Sequence, residues 1–433
     1  MSSRSIEREL RHAGYLSAPE AAQRLGIKLP TLYAYVSRGL LEAHRDTGLR
    51  ASFFAPEEVE RLRARPTRVA RPELQIPSSI TLLRGDGLFY RGHEVVALSR
   101  ERSYEEVAEL LWHGSLDPRT PWSVEDRWIV AASHAQRGLP ADVLPLERLA
   151  VAVASIAPLD ALRFDLTPTS VERTARALIA TMVAALPVAS HSRKSGKVHG
   201  VPVASSIAGL LAAALSPRRP TRAAIEVVNA ALILAADHEL AASTLAARVA
   251  GATRAPVYAS VAAGLAVTQG PRHGATSLWA EDLLAAIAAG TKPDRAVAEH
   301  LRRGEYVFGF GHPLYERGDP RADELLDLVF AHAAASHLQP VHALLEFAER
   351  QELGPPNVDF ALAALAHAFR LTRGAGQTIF AVGRSAGWVA HALEEHARRS
   401  QYRIRAAYTG PAPSTIVPSV RGERRGTPRT RRS

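Results

Sequence analysis

Cysteine is absent from the 433 residues, methionine occurs twice, and aromatic side chains make up only 6%. The missing cysteines exclude a disulfide framework, thiolate metal ligands and a thiol nucleophile. Long apolar runs are missing too: the most apolar stretch, Ala223 to Ala236, is interrupted by Glu226 and Asn229 and stops at Asp237. The amino-terminal MSSRSIEREL lacks the apolar core of a secretory signal, so a cytoplasmic location with no membrane partner is expected. Alternating apolar and polar residues are scarce, which leaves helices as the expected element.

What is present is 47% hydrophobic residues, enough for a large core and more than one domain. The net charge of +10 is concentrated at the two ends. Residues 1–72 hold thirteen Lys/Arg against eight Asp/Glu, and residues 421–433 hold six Arg against Glu423. Such ends fit contact with a polyanion, while the terminal arginines also read as a solubility device.

From Leu16 the chain reads LSAPEAAQRLGIKLPTLYAYVSRGLLEAHRDTGLRASFFAPEEVERLRARP. Ser17 and Glu20 have capping-box spacing, and Gly26 ends the short helix that they open. A second helix is predicted from about Leu29 to Ser37, with Pro30 in its first turn and Leu32, Tyr35 and Val36 on its inner face. A basic loop with Arg45 and Arg50 follows, then a third helix from Pro56. This is a winged helix-turn-helix pattern, and residues 14–65 resemble a MerR or excisionase-type DNA-binding domain. Tyr33 stands where such domains usually carry arginine. The resemblance implies that Thr31, Tyr33 and Arg38 face double-stranded DNA while Arg45 and Arg50 reach phosphates. The following proline- and arginine-rich stretch, RPTRVARPELQI, has no helical period and reads as a linker.

Four blocks set a polar side chain beside glycine, proline or a helix start: ADHELAAST (236–244), GPRHGA (270–275), GFGHPLYERGDPRA (309–322) and PPNVD (355–359). His238 suits a helix end as well as a ligand site. Glu239 beside it begins a zinc motif H-E-x-x-H, but residue 242 is Ala, which excludes that reading. His312 precedes Pro313 and is therefore held in extended backbone. G-F-G-H lacks the spacing of a dinucleotide loop. Either Asn357 or Asp359 can cap the apolar helix that follows them.

In this order the blocks resemble citrate synthase, and GDGLFYRGHEVVALSRERSYEEVAELLWHGSL (85–116) is similar to that family's amino-terminal segment. The resemblance covers about residues 77–415. It implies an all-α, two-domain helical fold preceded by the winged helix-turn-helix domain. Residues 77–274 and 371–415 then form a large domain, 275–370 a small domain, and 416–433 a basic disordered tail. It further implies a homodimer that condenses an acyl-CoA thioester, as co-substrate, with oxaloacetate. No permanently bound cofactor or metal is implied. Asp359 is then the base, His273 and His312 are donors to developing oxyanions, and His238, Arg321 and Arg384 hold oxaloacetate. Arg403 of YRIRAAY matches the arginine that family dimers lend to the partner's site, with Arg405 competing because Ile404 replaces the usual proline. After the donor histidine the family's G-G-A-N-E becomes Gly274-Ala275-Thr276-Ser277, and Ala241 replaces a frequent asparagine. These departures leave a second expectation open, a transcriptional regulator whose synthase-like region senses oxaloacetate, citrate or acyl-CoA.

Overall fold

A computed structural model describes residues 11, 14–27, 29–37, 41–44, 52–63, 75–116, 122–187, 206–302, 309–315, 317–398, 401–403, 406 and 408–410. Arg38, Arg45, Arg50, Arg405, most of the linker and the 416–433 tail lie outside them.

In the amino-terminal region β1 (Leu16–Ser17) pairs antiparallel with β2 (Phe53–Phe54), and between and after them lie α1 (Ala18–Leu25), α2 (Leu29–Ser37) and α3 (Pro56–Arg63). The Glu20 carboxylate accepts from the Ser17 N–H at 2.7 Å and its hydroxyl at 2.5 Å, which fixes the start of α1. Gly26 ends α1 in the left-handed region, at φ +69°, where a side chain is disfavoured. A separate small core includes Ala21, Leu32, Val36, Phe54 and Val59.

The second region opens with an antiparallel sheet, β3 (Thr81–Arg84), β4 (Gly87–Tyr90) and β5 (His93–Glu94). Sequence reading had missed it, because its strands are only two to four residues long. Fifteen α-helices follow among the described residues: α4 (Val95–Glu101), α5 (Tyr104–His113), α6 (Asp126–Ala135), α7 (Pro145–Ile156), α8 (Pro168–Ala184), α9 (Ile207–Leu215), α10 (Arg222–Ala235), α11 (Ala242–Ala252), α12 (Val257–Thr268), α13 (Ala275–Ala288), α14 (Pro293–Arg302), α15 (Pro320–His332), α16 (Ala335–Arg350), α17 (Val358–Ala368) and α18 (Ala375–Ala397). One core runs through this region from Ile80 to Ala390.

α18 is its axis. Almost every residue from Ala375 to Ala392 is buried, and the helix packs on α10, α11, α12 and α17, so apolar side chains occupy all its faces. Two glycines permit the closest approach. A Cβ on Gly387 would lie 2.4 Å from the Ala236 carbonyl oxygen, and one on Gly383 2.6 Å from that of Leu232. The Gly387 N–H instead donates to the Ala236 carbonyl at 3.0 Å, which draws the end of α10 against the middle of α18. Among the described residues no helix is long and apolar enough to cross a membrane.

Candidate active site

The end of α10 positions the first block. Glu239 has φ +50°, strained for an L residue, and this turn separates the buried pair Asp237 and His238 from the start of α11. Asp237 accepts from the Thr81 hydroxyl at 2.5 Å and lies 3.2 Å from His391 Nε2. Arg248 donates to His391 Nδ1 at 2.6 Å, which leaves Nε2 as the donor to Asp237, and the same guanidinium pairs with Glu394 and Glu395. Burial pushes the Asp237 carboxyl up, but His391 and Arg384 outweigh it and hold the group below its ordinary value. An ionised network therefore underlies the His238 turn.

His238 itself is kept neutral, chiefly by burial and then by the nearby charges of Arg321 and Arg384. Its Nε2 lies 2.9 Å from the Tyr315 hydroxyl. Its ring meets that of His312 edge-on, with centroids 5.4 Å apart.

The second and third elements are two loops tied together by backbone. The Gly311 N–H donates to the Pro355 carbonyl at 2.7 Å, the Asn357 N–H to that of Gly309 at 2.8 Å, and the Asn357 side chain to that of Gly311 at 3.0 Å. Gly309, at φ +98°, is required here, since a Cβ would come 2.9 Å from that of Phe360. His312 Nδ1 accepts the Leu314 N–H at 3.1 Å, so the ring proton resides on Nε2 and that nitrogen is a donor.

Asp319 caps α15, and Arg321 folds back onto it with Nε and Nη2 at 2.9 and 2.7 Å from the two carboxylate oxygens. The Val358 N–H also donates to Asp319, at 3.1 Å, which fastens α17 to the Arg321 site. Asn357, not Asp359, caps α17: its side-chain oxygen accepts the N–H groups of Asp359 and Phe360 at 3.0 and 3.4 Å. The Asp359 carboxylate is therefore not the cap of this helix. Burial raises its pKa to about 6, against the Thr276 side chain and the Arg321 charge, which pull it down.

His273 stands in the turn before α13. Its Nε2 lies 2.7 Å from the Ser243 hydroxyl, and its ring meets Phe380 edge-on at 5.5 Å. Burial, helped by the Arg384 charge, lowers its pKa to about 4, so the imidazole is neutral at neutral pH. The Thr276 hydroxyl donates to the His273 carbonyl at 2.8 Å. Arg384, 1% exposed on α18, donates Nε–H to the Ala235 carbonyl at 2.6 Å and lies 4.5 Å over the Phe380 ring. Its Nη1 has no protein partner among the described residues. Such an orphaned buried donor is costly unless an anion completes it.

The charge of Arg384 acts on His238, His273 and Asp359, and that of Arg321 on His238 and Asp359, while His312 stands beside His238. The structure adds Ser243, Thr276, Tyr315 and Asp319, which sequence reasoning left without roles. Arg403 is exposed in a carboxy-terminal unit that begins at Tyr402. In the amino-terminal domain Thr31 lies on α2, and Tyr33 is half-buried against the small core. Among the described residues no group of three or more His, Asp or Glu side chains is arranged to hold a metal ion.

Comparison with known proteins gives these arrangements a context. The family described as citrate synthase, C-terminal domain, matches residues 74–406, and a helix-turn-helix domain family matches residues 15–65. Citrate synthase 2 of Bacillus subtilis is 29% identical over 79% of this chain and 95% of its own length. Citrate synthase of Haloferax volcanii is 30% identical over 77% and 93%, and 2-methylcitrate synthase 2 of Corynebacterium glutamicum 26% over 77% and 91%. The crystal structure of citrate synthase from Pyrobaculum aerophilum superposes with a TM-score of 0.63 at 25% identity, covering 80% of this chain and 93% of that one. The chain belongs to the citrate synthase family and carries a helix-turn-helix domain ahead of its synthase region.

Proposed function

We propose that the chain condenses acetyl-CoA or propionyl-CoA with oxaloacetate, and that Asp359 is the base. The single observation that carries this reading is a carboxyl freed from capping by Asn357 and raised by burial to about 6, in a site that also holds a neutral histidine. Asp359 removes a proton from the carbon beside the thioester carbonyl, and a ring N–H of His273 meets the oxygen where charge develops. The Ser243 hydroxyl at Nε2 leaves Nδ1 as the nitrogen for that task. The resulting enol attacks the ketone carbon of oxaloacetate while His312 Nε2–H donates to the ketone oxygen. Water then hydrolyses the new thioester and releases CoA. His238, Arg321 and Arg384 hold the oxaloacetate carboxylates, and the free Arg384 Nη1 supports that assignment.

The same reading places residues 77–274 and 371–415 in a large domain and 275–370 in a small one, in a cytoplasmic homodimer to which a partner's Arg403 contributes. The amino-terminal domain binds double-stranded DNA through α2, and a dimer presents two such helices to an inverted repeat. Match of residues 15–65 to a helix-turn-helix family supports this half, and it also favours a second reading in which the synthase region senses its ligands without turning them over.

Thiol release from each acyl-CoA with oxaloacetate decides between the two: turnover abolished by Asp359→Ala supports the enzyme, and tight oxaloacetate binding without release supports the sensor. Selection from a random duplex pool tests the DNA half. The full chain enriches an inverted repeat with steeply salt-dependent affinity, and deletion of residues 1–72 removes the enrichment while leaving condensation intact.

A further inference from the structure

Tyr315 is 2% exposed, yet the reaction described above gives it no part. It lies on the loop that carries His312 to the start of α15, while His238 lies on the turn after α10, so a contact between them joins two elements 77 residues apart. Its hydroxyl is 2.9 Å from His238 Nε2. Its ring lies 4.8 Å from the His312 ring at an interplanar angle of 39°, and the Arg321 guanidinium is 5.8 Å from its centroid. One side chain therefore touches three of the groups assigned to oxaloacetate.

We infer that Tyr315 is a positioning residue of the oxaloacetate site, which locks the orientation of the His238 ring through its hydroxyl and that of the His312 ring through its face. This rests on the proposed function above. The physical reason is the cost of losing this bond in a buried site. His238 is a buried neutral imidazole, and a flip of its ring would put carbon where each nitrogen now stands, so the Tyr315 hydroxyl at Nε2 favours the one orientation that keeps the nitrogens in place. A phenol suits the task because burial pushes its own ionisation up to about 12, so it keeps its proton throughout the working range. His312 already has its tautomer fixed by the Leu314 N–H, and needs from Tyr315 only a flat surface against which to pack. Because Tyr315 acts through these two rings, loss of its hydroxyl affects the oxo-acid and not the acyl-CoA.

The test is steady-state kinetics of the full chain carrying Tyr315→Phe, with Tyr315→Leu beside it and melting temperatures for both. Phe keeps the ring, so KM for oxaloacetate is expected to rise about tenfold, as for one lost buried hydrogen bond, with kcat and the acyl-CoA KM within about twofold. Leu removes the flat face as well, and kcat is expected to fall by at least a further factor of about ten. An oxaloacetate KM within twofold of wild type in Tyr315→Phe overturns the inference. So does an equal decline of every parameter together with a lowered melting temperature, which marks a merely structural side chain. If wild type itself releases no thiol, the condensation reading fails separately, and calorimetric titration of oxaloacetate into both proteins still decides the role of Tyr315 by whether its Kd rises about tenfold.

Discussion

The two halves of the site treat their carboxyl groups in opposite ways. On the side of α13 and α17, desolvation outweighs the partners: His273 is pushed to about 4 and Asp359 up to about 6, so one stays neutral and the other is poised to gain a proton. On the side of α10, α15 and α18, the buried carboxylates have counter-charges, as Asp319 lies against Arg321 and Asp237 holds its charge beside His391 and Arg384, while Arg384 keeps Nη1 without a partner among the described residues. The first half is suited to moving protons, and the second to holding anions. The difference lies in the partners and not in the depth of burial, since His273 and Asp359 are half-buried whereas Asp237, Asp319, Arg321 and Arg384 are almost fully buried.

The sharpest way to break this comparison is to remove each half's key group. Asp359→Ala is expected to lower kcat by about 10²–10⁴, and His273→Ala by about 10²–10³, with oxaloacetate affinity kept in both, as read by thiol release and calorimetry. Arg384→Leu acts on the other half and is expected to weaken oxaloacetate binding by about 2–5 kcal/mol, because a carboxylate is left without its buried partner. An unchanged dissociation constant by titration would remove Arg384 from the anion-holding half.

Smaller effects refine the division. Asn357→Ala removes the α17 cap and its bond to Gly311, at a cost of about 0.5–2 kcal/mol in denaturant titration, and frees Asp359 to cap the helix itself. A fall in kcat beyond that stability loss would show that the cap keeps the base available. Asp359→Asn is expected to raise the melting temperature by about 1–3 °C at pH 8. The sign follows from the raised pKa: a carboxyl that prefers its proton in the folded state destabilises the fold where it is ionised, and the neutral amide removes that cost. The same substitution removes the proposed base.

Much of this was legible in the chain. Ser17, Glu20, Gly26 and Pro30 carry local capping and breaking signals, so the first two helices of the amino-terminal domain appear where those residues place them. The blocks around His238, His273, His312 and Asp359 stood out because glycine and proline mark unusual backbone. The sheet at 81–94 was missed, although G-D-G between apolar residues is a hairpin signal. The partners were illegible for a different reason. Ser243 meets His273 across 30 residues, Tyr315 meets His238 across 77, and Arg248 meets His391 across 143, and no local pattern encodes such pairings. Asn357 and Asp359 were equal candidates for a cap until the hydrogen bonds distinguished them.

The proposed condensation needs Asp359 to act as a base from an environment that raises its pKa, and the pH dependence of thiol release under saturating oxaloacetate and acyl-CoA tests that most directly. The carboxylate works only when ionised, so kcat is expected to be full above neutrality and to be lost as the pH falls, with a midpoint near the value of about 6 set by burial. His273 titrates near 4 and adds nothing in that window. A kcat that stays flat from neutrality down to about pH 4.5, near an unperturbed carboxylate, would contradict the assignment of Asp359 as a base with a raised pKa.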